Sequence, residues 1–248
     1  MSGARIETTA ATRQDAGALP GRRRAAIVTG ASRGLGRALA TALVEHGWHV
    51  VADARDGQAL SDALGEHGDA VTLVPGDITD EHHRHALVLA ATGVGPLSLV
   101  VNNAGGLGPS PLPDLATVDL DELTALFETN VAAPLGLIQV AAPHLEPGAV
   151  IVDITSDASV EAYEGWGVYG ATKAALDHVG AVLAAEHPEW RVLTIDPGDM
   201  NTQMHQAAFP GEDISDRPAP ATSVPGVLAL VEGDEPSGRY RAREAVPA

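Results

Sequence analysis

The chain has 248 residues, 45% of them hydrophobic, which suits one large α/β domain with a sizeable core. A formal net charge of −18 at pH 7 argues against nucleic acid or anionic membrane as a partner, because both need a cationic footprint. The absence of cysteine excludes disulfides and thiolate metal sites and fits a reducing, cytoplasmic compartment.

Residues 1–24, ending in Pro20-Gly21-Arg22-Arg23-Arg24, are polar and aperiodic and are expected to form a mobile extension. They lack the apolar segment of a secretory signal, and no later stretch reads as long enough to span a bilayer. The apolar run 25–28 then leads into Thr29-Gly30-Ala31-Ser32-Arg33-Gly34-Leu35-Gly36, with Leu39, Ala42 and Leu43 following at helical spacing. This reads as strand, glycine turn and helix. Glycine permits positive φ and close backbone approach, and the free N–H groups and dipole of a helix start attract a pyrophosphate. A tight turn without a ligand is the alternative.

Strand-like and helix-like runs alternate from there: 49–53 then 57–67, 70–74 then 80–92, 97–101 then 119–145, 149–154 then 166–187, and finally 191–195. Near-continuous Val/Ile/Leu runs at this spacing predict parallel strands covered on both faces, hence a doubly wound Rossmann-type sheet in a single domain over 25–248. Ligands of such sheets bind beyond the carboxyl ends of the strands. Asp77, the run Asn102-Asn103-Ala104-Gly105, Ser156 and Pro197-Gly198 all fall at such ends. His82, His83 and His85 read as a solvated helix face, and no metal site is expected. Residues 203–222, rich in proline and charge, are expected to form a lid. Met200, Met204, Phe209, Tyr163 and Trp166 are candidate apolar walls for a neutral carbonyl compound or secondary alcohol, or else core residues. Residues 237–241 read as a last strand.

The only lysine among fifteen Lys and Arg residues, Lys173, stands four positions after Tyr169. On a helix the two share a face, and an ammonium beside a phenol favours phenolate, the shift a tyrosine needs for proton transfer near neutrality. Read alone, the same spacing also describes an ordinary surface pair.

The chain from residue 25 to about 203 resembles the short-chain dehydrogenase/reductase family. The resemblance rests on T-G-x-x-x-G-x-G at 29–36, N-N-A-G at 102–105, Asn130, Ser156, Y-x-x-x-K at 169–173 and P-G-x-x-x-T at 197–202. It implies hydride transfer between a nicotinamide cofactor and a carbonyl or alcohol. Tyr169 would be the acid/base, Lys173 would lower its pKa, Ser156 would hold the substrate oxygen, and Asn130 would position a relay water. For Ser156 and Asn130, a turn cap and a backbone-satisfied amide are the plainer readings. By the same resemblance Gly30, Ser32, Arg33, Gly34, Leu35 and Gly36 would hold the pyrophosphate, with Asp77 and Ile78 at the adenine. Asn103, Ala104 and Gly105, with Tyr169 and Lys173, would line the nicotinamide ribose; Pro197, Gly198, Met200 and Thr202 would hold the carboxamide and pyrophosphate. Met200 replaces the family's usual Val or Ile, and the tail departs from the apolar, glycine-ended form that supports tetramers in many relatives. Pairing through 119–145 and 166–187 as a homodimer or homotetramer remains the expectation.

Cofactor choice depends on Val50-Val51-Ala52-Asp53-Ala54-Arg55. Ala54 aligns with the family's discriminating acid, so Arg55, with Arg33 as a second cation, would meet the 2′-phosphate and favour NADP(H). A one-residue slip would restore Asp53 and select NAD(H). Besides a ketoreductase or alcohol dehydrogenase, the motifs leave open a dehydratase or epimerase on the same scaffold, or a nucleotide-sensing protein.

Overall fold

A computed structural model describes residues 23–245. The elements in chain order are β1 Ala25–Val28, α1 Gly34–Glu45, β2 His49–Ala52, α2 Gly57–Leu64, β3 Val71–Leu73, α3 Glu81–Val94, β4 Leu97–Asn102, α4 Leu120–Phe127 and α5 Ala133–Ala141. Then come β5 Leu145–Ile154, α6 Gly167–Glu186, β6 Arg191–Asp196, α7 Gln203–Ala208, α8 Val224–Glu232 and β7 Gly238–Arg241. The strands form one sheet in the order β3-β2-β1-β4-β5-β6-β7, every pair parallel. The sheet is the doubly wound one expected, and the chain order reverses between β1 and β4, where such sheets open a ligand crevice.

Period-two alternation divides each strand between two cores. Ala26 and Val28 of β1 join Leu35, Leu39 and Leu43 of α1 and Val227 and Leu228 of α8 on one face. Ala25 and Ile27 join Leu87, Val88 and Ala91 of α3 and Leu137 of α5 on the other. A further cluster of Ile138, Leu183, Trp190 and Val192 seats α6 against the sheet.

Two expectations change and one gains detail. The expected extension lies outside the described residues except for Arg23 and Arg24, and Arg24 already belongs to the fold: its carbonyl accepts from His49 N–H at 3.0 Å and its guanidinium lies 4.0 Å from the Trp48 ring centroid. The helix expected over 119–145, with Pro134 perturbing it around Asn130, is present: it runs on through a π-helical turn, Glu128–Ala132, immediately before Pro134. Pro134 has no N–H to donate to the residue four before it, so the wider turn absorbs the defect and turns Asn130 inward. Finally, Leu120–His144 is by length and composition apolar enough to cross a membrane, contrary to the expectation that no stretch is. In the fold Ala133, Leu137, Ile138 and Ala141 of this run are buried within the cores under the sheet.

Candidate active site

The glycine turn between β1 and α1 is built as its composition requires. Gly30 and Gly34 hold φ of +67° and +57°, where an L side chain is strained. Gly36 has a different reason: a side-chain carbon there would overlap the Gly30 carbonyl and the Asn103 side-chain amide. Asn103 Nδ2 donates to Thr29 O at 2.8 Å and Gly30 O at 3.2 Å, while the Thr29 hydroxyl accepts from the N–H groups of Asn103 and Ala104 at 3.0 and 2.9 Å. The ends of β1 and β4 are thereby tied together. Leu35 is buried in the core, so it can offer a ligand only its backbone. Gly36→Ala is expected to displace this turn, lower thermal stability by about 1–3 kcal/mol and weaken coenzyme binding at least about tenfold. Thermal unfolding and coenzyme fluorescence titration check both.

At the end of β2, Asp53 is 2% exposed and faces inward. Its Oδ1 accepts the Gly30 N–H at 2.7 Å and its Oδ2 lies 3.0 Å from Nε2 of His83. Arg55 is exposed in the cleft, close enough to Asp77 to help hold that carboxyl below its ordinary value, although the Thr79 N–H bonded to Asp77 is the larger cause. Ile78 packs into the core beside it. Arg33 also lines the cleft, and its Nη1 donates to Gln203 Oε1, in the first residue of α7, at 2.6 Å. His83 departs from the solvated face expected of it, since it is buried.

At the opposite end of the cleft, α6 carries Tyr169 and Lys173, and Ser156 follows β5. Tyr169 is 8% exposed, with Trp166 edge-on at 5.7 Å between ring centroids. The Lys173 ammonium, 6% exposed, donates to Ile154 O at 2.8 Å and lies 5.6 Å from the Tyr169 ring centroid. The expected lowering of the phenol by Lys173 is not what these groups produce together. Burial pushes Tyr169 well above its ordinary value; the nearby Ser156 hydroxyl offsets part of this, and Asp196 and Asp157 add to it. Burial also lowers Lys173 to about 8, while Asp153 and Asp177 pull it back up. The protonated phenol is therefore the resting form, poised to donate.

Ser156 is the turn cap that its plainer reading describes, and it also lines the cleft. Its Oγ caps the short 3-10 turn Asp157–Ser159 by accepting Ala158 N–H at 3.2 Å, and it faces the same cleft as the phenol. Asn130 is 1% exposed, and its side chain is the backbone-satisfied buried amide of its plainer reading. Oδ1 accepts Gly106 N–H at 2.8 Å, and Nδ2 donates to Gly106 O at 2.9 Å and Thr172 Oγ1 at 3.0 Å, so both of its donors are engaged. It fixes Gly105 and Gly106 beside Lys173.

The remaining wall follows β6. Pro197 O accepts from Ser223 Oγ at 2.7 Å, Gly198 N–H donates to Asp196 Oδ1 at 2.8 Å, and Thr202 caps α7. Met200 packs on the core beneath, while Met204 and Tyr163 stay exposed and Phe209 lies 6.0 Å from Trp166 between ring centroids. All five candidate wall residues line the cleft. Sequence reasoning missed Asp157, whose Oδ1 accepts from Ser156 Oγ at 2.9 Å and whose Oδ2 accepts from Tyr163 OH at 3.1 Å. It also missed Thr172, which orients Asn130 but carries no motif of its own.

Together these groups line one cleft of about 1820 Å³ that runs from Arg55 past the glycine turn to Tyr169. A bare backbone cradle in the middle, a carboxylate and a cation at one end and a phenol at the other fit a dinucleotide coenzyme. Fold and site thus define a dinucleotide-dependent oxidoreductase. A family model described as short chain dehydrogenase matches residues 24–213. The chain is similar to the short-chain dehydrogenase/reductase FrzI of Cladobotryum sp, 31% identical over 84% of this chain and 86% of the relative. It is also 34% identical to the (S)-benzoin-forming benzil reductase of Saccharomyces cerevisiae over 73% of each chain. Among solved structures, a short chain dehydrogenase from Escherichia coli CFT073 complexed with NADPH superposes with a TM-score of 0.81 at 28% identity, covering 90% of this chain and 97% of that one. The chain belongs to the short-chain dehydrogenase/reductase family and is an NAD(P)-dependent oxidoreductase.

Proposed function

We propose that the protein is an NADP(H)-dependent ketoreductase or alcohol dehydrogenase acting on a neutral, partly apolar carbonyl compound or secondary alcohol. The observation that carries this is the convergence of Tyr169, Ser156 and Lys173 at one end of the coenzyme cleft. The bound nicotinamide supplies or accepts the hydride. Tyr169 gives its proton to the carbonyl oxygen in reduction and recovers it from the alcohol in oxidation, and its raised pKa favours the donor form. Ser156 holds the same oxygen and orients it. Lys173 offsets the charge left on the phenolate, and Asn130 keeps the backbone beside it in place.

Arg55 at the adenosine end supports NADP(H) over NAD(H), as does the inward-facing Asp53, and both accord with the NADPH-bound relative. The benzil reductase relative supports carbonyl reduction, and Trp166 and Phe209 offer such a substrate an aromatic wall. Residues 203–222 serve as the lid, linked to the facing loop by the Ser110 Oγ bond to Ala207 O at 2.7 Å. Exposed Leu120 and Val182 on α4 and α6 support pairing of copies through these helices, and the compartment is taken to be the cytoplasm.

The reading is tested by following reduced-nicotinamide absorbance with NADPH and a panel of ketones. Conversion of substrate without an absorbance change would instead identify a dehydratase or epimerase. The Lys173 ammonium predicts an alkaline limb: kcat/KM for the coenzyme should fall as pH rises through about 8, where Lys173 loses its proton. Lys173→Arg should lose that limb, since guanidinium does not titrate there. The folded value lies below the ordinary 10.5, so keeping the ammonium lowers stability below about pH 8, and the penalty fades as pH rises toward 10.5.

A further inference from the structure

His83 has no place in the chemistry above, yet it is the buried member of a three-histidine stretch otherwise exposed to solvent. It sits on the inward stripe of α3, one turn before Leu87 and two before Ala91, where an apolar residue belongs. Its Nε2 faces Asp53 Oδ2 at 3.0 Å, with side-chain exposures of 7% and 2%. Opposite a carboxylate, that nitrogen carries the proton and donates. The rest of the ring lies against Gly76: a side-chain carbon there would overlap Nδ1, Cε1 and Cγ. One imidazole therefore fixes both Asp53 and the backbone just before Asp77.

We infer that His83 sets coenzyme preference by holding Asp53 beneath the glycine turn, away from the adenosine ribose. Asp53 is the one carboxylate at the end of β2, where an acid selects NAD by accepting from the ribose 2′-hydroxyl. Here one of its oxygens accepts from Gly30 N–H and the other from His83, and the face presented to the ribose is left to Arg55. Without the imidazole donor, one oxygen of a buried carboxylate would be left unpaired, and the group would turn toward solvent beside Arg55. There it would repel a 2′-phosphate and accept from a 2′-hydroxyl. This inference rests on the reading that Arg55 faces the 2′-phosphate.

The test compares dissociation constants of NADPH and NADH, and of 2′,5′-ADP and 5′-AMP, by calorimetry on the full-length wild type and four variants. His83→Leu should shift the ratio of affinities toward NADH and 5′-AMP by on the order of tenfold, the scale of one charge repositioned near the surface. His83→Gln, whose amide can still donate to Asp53, should return the ratio most of the way to the wild-type value. Asp53→Asn removes the charge, keeps the Gly30 bond through its amide oxygen and donates its N–H to His83 Nε2 once the imidazole proton moves to Nδ1, and it should leave NADH affinity unchanged; His83→Leu combined with Asp53→Asn should also restore the wild-type ratio. Equal weakening of both coenzymes in His83→Leu would mean a merely structural histidine and overturn the inference. A selective loss of NADH affinity in Asp53→Asn would overturn it too, even if His83→Leu fails to fold, because Asp53 would then be the ribose acceptor already. Wild-type preference for NADH would instead sink the reading of Arg55.

Discussion

Tyr169→Phe should lower kcat on the order of a thousandfold, the range by which a positioned general acid accelerates proton transfer, while NADPH binding stays within about threefold of wild type. The neighbours cannot substitute for the lost hydroxyl. The Lys173 ammonium is directed to Ile154 O, and the Ser156 hydroxyl is far too weakly acidic to protonate the oxygen it holds, so neither replaces the phenol. The ring itself remains, with its edge-on contact to Trp166 and its packing on Leu107, Ala158 and Ala208, so folding should be preserved. Steady-state kinetics combined with coenzyme titration separate the two effects. Retained turnover would remove Tyr169 from the mechanism, and lost coenzyme binding would make its role architectural.

Arg55→Asp should invert coenzyme preference, changing the ratio of kcat/KM with NADPH to that with NADH by about a hundredfold or more. Its guanidinium is exposed at the end of β2 and faces no carboxylate within ion-pairing distance among the described residues, so it is free to meet a phosphate dianion. Replacing it with a carboxylate removes the attraction, adds repulsion and offers an acceptor to the ribose hydroxyl, three effects of the same sign. Kinetics with both coenzymes at fixed ionic strength measure the change, since the effect of an exposed charge is screened by salt. An unchanged preference would show that Arg55 does not face the 2′-phosphate.

How much of this was legible beforehand differs from residue to residue. Gly30, Gly34 and Gly36 could be read from the turn because each answers a local demand: positive φ at the first two and steric room at the third. The edge strand Gly238–Arg241 was legible despite its polar residues, and Pro134 signalled a perturbed helix around Asn130, although not its π-helical form. The sequence put Arg55 first and Arg33 second as cations for a 2′-phosphate, but gave no sign of the Arg33 bond to Gln203, a partner 170 residues away. The inward period of α3 could have flagged His83, since Leu87 and Ala91 follow it at four-residue steps, but a cluster of three histidines hid that pattern.

The sequence by itself determined the alternating αβ order, the parallel sheet and the glycine turn, and it singled out the candidate reacting side chains, because these depend on periodicity and on which atoms can donate a proton or fit a tight turn. Only the tertiary structure decided the states and directions of those groups. Whether Tyr169 rests as a phenol depends on how deeply the body of the protein buries it, and whether Asp53 meets a ribose or a histidine depends on an element thirty residues further on. Desolvation and long-range hydrogen bonds arise from surroundings assembled by the whole chain, so no local stretch encodes them.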